Sequence, residues 1–456
     1  MKISIIVPGR NNRRYAQWSY DSIQKNKGNH EVEYCFADDA STDGTWEWCT
    51  EMMKKDSNFK AIRNETGERV GHTILYDRLV NEVATNEMCM IYHCDMYLCP
   101  GSLDAIEKYM YKELTYDEKV HEARRRFGFE QEGLGRTFDI NSKESIEFLT
   151  STQTIPNEKT IVSLTRIEPP LHPDGPEKCI WDCGVEPEEF DEDKLLKFVA
   201  GEGQVFKFPK GHTTEGIFAP WAFWKKDFQE IGGHDPLYRP QSKEDTDIFN
   251  RFQLNGIKFV QTWEGFVYHM TCRGSRRNTV DKAKNIYEDS PEWLAQNQRS
   301  TRNFIRKWGH FCKHDEFMKP IIPNKYGIGF RVTNCNPQLL EVLEPWCDRI
   351  YVDCPRQPYI DKEQPNTDYN LNKRVHSMTG DNDKFDYNDI VVEIEGSLFR
   401  QDDFQYITQL SEILDQGFEN GSFELGTLKI TVTHVESYTN ELITLQTKYN
   451  KIKEQI

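Results

Sequence analysis

No stretch of this 456-residue sequence approaches the roughly 18 consecutive apolar residues that a membrane-spanning helix needs. The opening residues, MKISIIVPGR, also lack the form of a secretory leader: the apolar run is short, Pro8 breaks it, and no small-residue cleavage site follows. The expectation is a cytoplasmic protein with no integral membrane segment. Basic residues are in deficit. Lys and Arg number 57 against 74 Asp and Glu, a net charge of -17, and a general nucleic-acid binder needs the opposite balance to displace counterions. A local basic patch such as Arg273, Arg276 and Arg277 can still hold a small anion. None of the twelve cysteines stands in a C-x-x-C pair, and Cys179 and Cys183 lie close together without a second such pair. A zinc site therefore finds no support, and reduced, mostly buried thiols are expected. Internal repeats and low-complexity tracts are missing as well.

What the sequence holds is the material of an α/β protein. Apolar residues at 37% with 12% aromatics suffice for buried cores, and the length fits two or three domains. Residues 3–8 (ISIIVP), 31–37 (EVEYCFA), 59–63 and 88–92 (MCMIY) read as strands, with helices predicted over 14–25, 44–55 and 72–84. Ser41, Thr42 and Asp43 signal the start of the second helix. This alternation predicts a mostly parallel, Rossmann-like sheet with flanking helices, whose ligands bind beyond the carboxyl ends of the strands. Asp38, Asp39 and Asp95 fall there.

The rest reads more coarsely. Residues 105–150 look helical and charged, 165–193 a long irregular connection rich in Pro, Asp, Glu and Gly, and 216–270 a globular core. Amphipathic helices are predicted over 280–318, with Trp293, Phe304, Trp308 and Phe311 facing a core. Beyond 320 a second unit is expected, with strands at 327–333, 349–353, 389–394 and 427–434, helices at 337–346 and 402–416, and a polar loop over 355–388. Asp353, at one strand end, reads as a turn residue. The expected division is a larger α/β domain over 1–280, a helical connector over 281–320 and a smaller α/β domain over 321–456.

Three clusters carry candidate chemistry. In ADDASTDGT (37–45) two carboxylates end a strand and can accept the N–H of a base such as uracil, although Asp and Ser also cap helices generally. In MIYHCDMYLCPGSL (90–103), His93 and Asp95 are two residues apart on an extended chain, so their side chains share a face. Imidazole nitrogen with carboxylate oxygen suits Mn2+, and Asp95 also suits Mg2+; such an ion could bridge the phosphates of a nucleotide diphosphate. In the third, 232–277, Glu244, Asp245 and Asp247 open an apolar helix, where charge complementing the helix dipole is the plainer explanation. His269 ends a strand and is either a further ligand or a satisfied core histidine. Arg273, Arg276 and Arg277 follow in a Gly/Ser loop, able to grip phosphates or simply solvated.

Together these segments resemble the family-2 glycosyltransferases of the GT-A fold, in order and in spacing, over residues 1–280. SIIVPGRNN is similar to that family's S-I-I-V-P-T-Y-N, and ADDASTDGT to its V-D-D-G-S-T-D-G-T. HCDMYLCPGSL is similar to D-x-D-D-x-x-x-P-x-x-L, and IGGHD with KEDTDIFNRFQLNG to I-G-G-F-D followed by E-D-x-D-L-x-x-R-x-x-x-G. The resemblance implies inverting, metal-dependent transfer of a sugar, of the hexosyltransferase type, from a nucleotide-diphosphate sugar to a hydroxyl of a glycan, protein or lipid-linked acceptor. UDP is the family's commonest nucleotide.

The resemblance also implies roles. Asp245 is the catalytic base, with Glu244 beside it. Asp95, His93 and His269 hold Mn2+ or Mg2+. Pro8, Arg10, Asp38, Asp39, Arg78, Cys94, Arg273 and Arg276 surround the donor, Asp39 meeting the base and Asp38 supporting the same loop. The irregular 165–215 segment would close as a lid. His93 and Met96 depart from the pattern by replacing acids, and Gly9 and Arg10 by replacing Thr-Tyr. Two other readings use the same residues: a nucleotidyltransferase, and a binding protein whose catalytic site has decayed at His93. Self-association is left open.

Overall fold

The structure is a computed structural model in which residues 1–131, 135–201, 206–271, 289–378, 388–417 and 420–445 are described. Runs such as ISIIV, EYCFA and MCMI, apolar on both faces, are buried only by a sheet covered on both sides. They form β1 (Lys2–Gly9), β2 (Glu31–Asp38) and β4 (Met88–Ile91), with β3 (Phe59–Arg63) at the edge. β1 pairs in parallel with β2 and β4, and β2 with β3. Connecting them are α1 (Arg13–Asn26), α2 (Thr45–Lys55) and α3 (His72–Arg78), the last extended by a π turn over Leu79–Val83.

Six further strands complete the sheet: β5 (Met96–Leu98), β6 (Thr160–Glu168), β7 (Lys178–Ile180), β8 (Thr213–Thr214), β9 (Trp221–Trp224) and β10 (Lys258–His269). The spatial order is β8-β10-β6-β9-β4-β1-β2-β3, with β7 beside β6 and β5 beside β10. β6 and β10 are parallel, and β9 runs antiparallel to both of its neighbours. The fold is the expected α/β type with a mostly parallel sheet.

A smaller α/β unit follows. Its strands are β11 (Ile328–Thr333), β12 (Arg349–Val352), β13 (Val375–Ser377), β14 (Ile390–Glu395), β15 (Gly421–Leu425) and β16 (Leu428–Val432), in the order β13-β12-β11-β14-β16-β15. The first four are parallel and the last two form an antiparallel hairpin. Asp353 accepts backbone N–H groups from Asn334 (2.7 Å) and Cys335 (2.8 Å), the turn role expected of it.

Several expectations need correction. The stretch beginning at 165 is not an irregular connection: residues 160–168 are β6, buried along their whole length. Arg166 and Glu168 end that strand as paired charges, so polar letters masked a core strand. The remainder carries β7 and the helix Glu192–Val199, so 165–215 is not one free lid. The region 355–388 is not a plain loop, since it contains the helix Gln357–Glu363 and β13. β15 was overlooked because an edge hairpin is only half buried. The helix over 402–416 divides into Phe404–Thr408 and Leu410–Leu414. Phe311 is 42% exposed, because the helix Pro291–Trp308 has already ended at Gly309 (φ 80°). Phe304 and Trp308 are buried as expected, and Trp293 is half-buried.

Two helices tie the sheets together: α4 (Glu244–Leu254) and α5 (Pro291–Trp308). Lys307 lies between Asp235 (2.8 Å) and Asp247 (2.7 Å), Trp308 donates to Asp247 (2.9 Å), and Arg251 pairs with Asp247 from within α4 (2.8 Å). On the other side, Arg306 (2.6 Å) and Arg374 (2.8 Å) grip Glu344, and Tyr359 donates to it (2.8 Å). Burial opposes the charge on Glu344, but the two guanidinium groups outweigh it and hold this carboxyl well below the usual range. Removing one partner of such a buried set costs more than the set itself contributes. Glu344→Gln takes from Arg374 its carboxylate partner and leaves Arg306 with Glu363 alone (2.6 Å), and urea denaturation at pH 7 should find it destabilised by about 3–5 kcal/mol. A loss below about 1 kcal/mol, the value of an exposed pair, would contradict this arrangement.

Candidate active site

β1 and β2 run side by side to the same sheet edge, so the loops that follow them meet. Asn11 N donates to Ser41 Oγ (2.9 Å), and Thr42 N donates to Asn11 Oδ1 (2.8 Å). Asp43 accepts from Arg13 N (3.0 Å) and Thr45 N (3.1 Å). Ser41, Thr42 and Asp43 thus cross-link two loops as well as starting α2. Asp38 accepts from Ser41 N (3.3 Å) and faces Arg63 (3.2 Å), which shapes its own loop. Asp39 is 3% exposed and accepts from Asn64 Nδ2 (2.7 Å), Val70 N (3.0 Å) and Gly71 N (2.9 Å). It anchors the segment leading into α3.

That segment reaches α4. His72 Nε2 donates to Glu244, and Arg69 donates to Gln241 (2.7 Å). Gly71 has φ +84°, and a Cβ placed there would lie 2.1 Å from the Pro240 carbonyl oxygen, so only glycine permits the approach. Burial works against the charge on Glu244, but His72 outweighs it and lowers the carboxyl. Asp245 differs. Burial and the adjacent Glu244 carboxylate raise it to about 6, and among the described residues it has no hydrogen bond or ion pair. Ser242 (φ 80°) and Lys243 (φ 72°), just before α4, lie in the left-handed region. So do Asn11, Ala40 and Thr271, placing five of the eight such non-glycine residues along this edge, where strained backbone marks a functional surface.

Strand register assembles the third group. β10 pairs with β6 on one side and β5 on the other, setting His269 beside Glu168 and opposite Met96. His269 Nδ1 donates to Glu168 (2.9 Å), and its Nε2 stands 3.4 Å from Asp95. The His93 ring lies 5.6 Å from that of His269, and the ligand atoms of His93, Asp95 and His269 fall within 4.8 Å of one another. Burial and the neighbouring His269 push His93 down to about 3, keeping it neutral. Burial opposes charge on His269 too, yet Asp95 and Glu168 raise it to about 9. Asp95 is held at about 2, because the two histidines outweigh its burial. Glu168 is itself compensated by Arg166 (3.3 Å) and Lys178 (2.9 Å), all buried.

Asp39, Asp95 and Asp245 therefore come to one edge, through the segment 69–72 and through Arg166, whose charge bears on both His93 and Asp245. Four buried polar atoms there, on Arg10 (Nη1), Arg166 (Nε), His234 (Nε2) and Glu244 (Oε2), have no hydrogen-bond partner. Buried polar groups are almost always satisfied, so a cluster of exceptions points to a ligand.

Arg78 pairs with Glu82 (3.1 Å) along its own helix and makes no described contact with this group. Cys94 is buried under Asn12, which donates to it (3.0 Å), and burial raises its thiol far above the ordinary value. Pro8 lies within β1. Arg273, Arg276 and Arg277 lie outside the described residues. Arg166, Glu168, His72 and the His234–Asp77 pair (2.7 Å) were missed. For the first two a signal existed, since TIVSLTRIE ends an apolar run in charges just as IYHCD does.

Comparison with known proteins bears on the motifs directly. Residues 4–115 match Glycosyl transferase family 2. The resemblance read from SIIVPGRNN, ADDASTDGT and HCDMYLCPGSL is thereby borne out. An abequosyltransferase, RfbV, of Salmonella typhimurium (strain LT2) is 30% identical over 111 residues, 24% of this chain and 33% of that protein, so the chain spans about a third of the length of the curated relative it matches. Among solved structures, S. aureus TarS 1-349 is 13% identical with a TM-score of 0.33, over 59% of this chain and 60% of that one. The mannosyltransferase PcManGT from Pyrobaculum calidifontis, in complex with GDP-Man and Mn2+, is 14% identical with a TM-score of 0.34, over 59% and 57%.

The family 2 segment ends at the helix after Asp95, and the contact of Gly71 with Pro240 joins it to the rest of the edge. Gly71→Ala forces a side chain into a glycine-only backbone region, costing about 1–3 kcal/mol, and separates the segment from Pro240. Thermal unfolding should register the loss, and a variant as stable as the parent would show that this approach is dispensable.

Proposed function

We propose that this protein transfers a sugar from a nucleotide-diphosphate sugar, with UDP as the nucleotide, to a hydroxyl acceptor, inverting the anomeric centre. The observation that carries the reading is the separation of roles among neighbouring acids: Asp245 has no ion pair among the described residues and is raised to about 6, while Glu244 and Asp247 are engaged by His72, Lys307 and Arg251. The family 2 match over residues 4–115 supplies the class of reaction.

The residues present fit a divalent ion. His93, Asp95 and His269 offer two imidazole nitrogens and a carboxylate, a donor set suited to Mn2+, and Glu168 orients His269 as a carboxylate orients a ligating imidazole. When bound, Mn2+ or Mg2+ supplies positive charge that stabilises a departing diphosphate. The remaining steps belong to the chain. Asp39 and the loops tied by Asn11 bound the nucleoside end of the donor. Arg10, with a buried unpartnered nitrogen, faces its anionic part. Asp245 accepts the proton of the acceptor hydroxyl as that oxygen forms its bond to the anomeric carbon and the bond to the diphosphate breaks. Arg166 lies close enough to Asp245 to stabilise its charged form.

Asp245 acts as base only when deprotonated, and its raised value sets where that holds. The acceptor-dependent rate, followed by release of nucleotide diphosphate, should be constant above pH 7 and fall about tenfold per pH unit below 6. Glu244→Gln removes the adjacent negative charge and should move this limb to lower pH. Asp245→Asn should abolish transfer, by about 100-fold or more, with donor binding nearly intact. Full activity in Asp245→Asn would remove the residue from the mechanism. A decayed site, by contrast, gives no transfer from any labelled nucleotide-sugar with Mn2+.

A further inference from the structure

A cavity of about 410 Å³ opens between the segment entering α3 and the turn 365–368 of the smaller α/β unit, within the size range of small-molecule sites. Three guanidinium groups line it, those of Arg69, Arg239 and Arg299, against one carboxylate, Asp368. Asp368 is held by Arg239 in two parallel bonds of 2.9 and 3.0 Å. Arg69 donates to the amide oxygen of Gln241. Arg299 donates to the Arg239 carbonyl (3.2 Å) and to Gln296, both neutral, and it has no carboxylate partner among the described residues.

Like charges gathered this way repel. Burial and the neighbouring Arg239 act against the charge on Arg299 and outweigh the opposing carboxylate of Asp368. Such a cluster becomes favourable when an oxyanion adds negative charge among its guanidinium groups, as phosphate does among arginines. Its location matters as well. Val70, just before α3, and Ile74, in its first turn, both line the cavity, whereas His72 between them bonds Glu244. The cavity thus backs onto the segment anchored by Asp39.

We propose that this cavity binds a phosphate-type oxyanion carried by a small ligand, at a place separate from the His93–Asp95–His269 cluster. The anion sits among Arg69, Arg239 and Arg299 and steadies the segment that carries His72.

Inorganic phosphate is the probe, titrated calorimetrically into the metal-free full chain. Saturable binding is expected, weakened about tenfold or more in Arg299→Ala, the loss of one charge-assisted contact. Asp368→Asn releases Arg239 and should strengthen binding severalfold, an opposite change that a folding defect cannot imitate. Equal affinity in all three proteins, or no binding, overturns the proposal. So does displacement of phosphate by UDP, which would place the anion with the nucleotide. A parallel titration with glycerol phosphate separates the sources: tighter binding than phosphate assigns the anion to an organic ligand, and equal binding assigns it to the free ion. Neither readout needs sugar transfer. A chain that binds phosphate here yet transfers no sugar keeps this site and loses only the function proposed above.

Discussion

The contact between Glu168 and His269 is the one on which the rest of the edge depends. It fixes which imidazole nitrogen faces Asp95, and it does so between the ends of two adjacent parallel strands. A buried carboxylate there is costly unless compensated, and Arg166 and Lys178 compensate it. The charge of Arg166 also favours the ionised form of Asp245. One buried carboxylate thus aligns the histidine and holds a cation whose field reaches the acid at the start of α4. The sheet is the instrument of this: β10 lies between β6 and β5, so His269 meets Glu168 on one side and, on the other, the turn before β5 that carries His93 and Asp95.

A second constraint explains why the acids at the start of α4 behave differently. Three acids opening a helix would ordinarily be read as a common response to its dipole. Here each has its own surroundings. Glu244 is held by His72 from the segment anchored by Asp39, and Asp247 by Lys307, Trp308 and Arg251. Asp245, between them, is left for the proposed reaction. The smaller α/β unit contributes indirectly: consecutive residues of α5 reach opposite ways, Lys307 to Asp247 and Arg306 to Glu344. The position of α4 is therefore tied to both sheets.

Much of this was legible in the sequence. β1 to β4 are announced by apolar runs, and Asp38 and Asp39 after β2 and Asp95 after β4 mark the edge where the candidate site lies. His93, Asp95 and His269 were each suspected, and the structure brings them together. What was not legible was pairing. Glu168 and Arg166 fell in the stretch read as an irregular connection, because the Pro- and acid-rich residues that follow outweighed the apolar run of TIVSLTRIE. His72 and His234 stood alone in the sequence, and their significance comes from Glu244 and Asp77, more than 150 residues away in the chain. Arg78 is the complementary case: its partner Glu82 is one turn along the chain, so the pair is explained locally.

The central claim is that His93, Asp95 and His269 together hold a divalent ion, and pulsed electron paramagnetic resonance of the Mn2+-loaded protein tests it most directly. Nitrogen couplings from two imidazoles are expected, falling to one in His93→Ala. Bound Mn2+ without any nitrogen coupling would contradict the account.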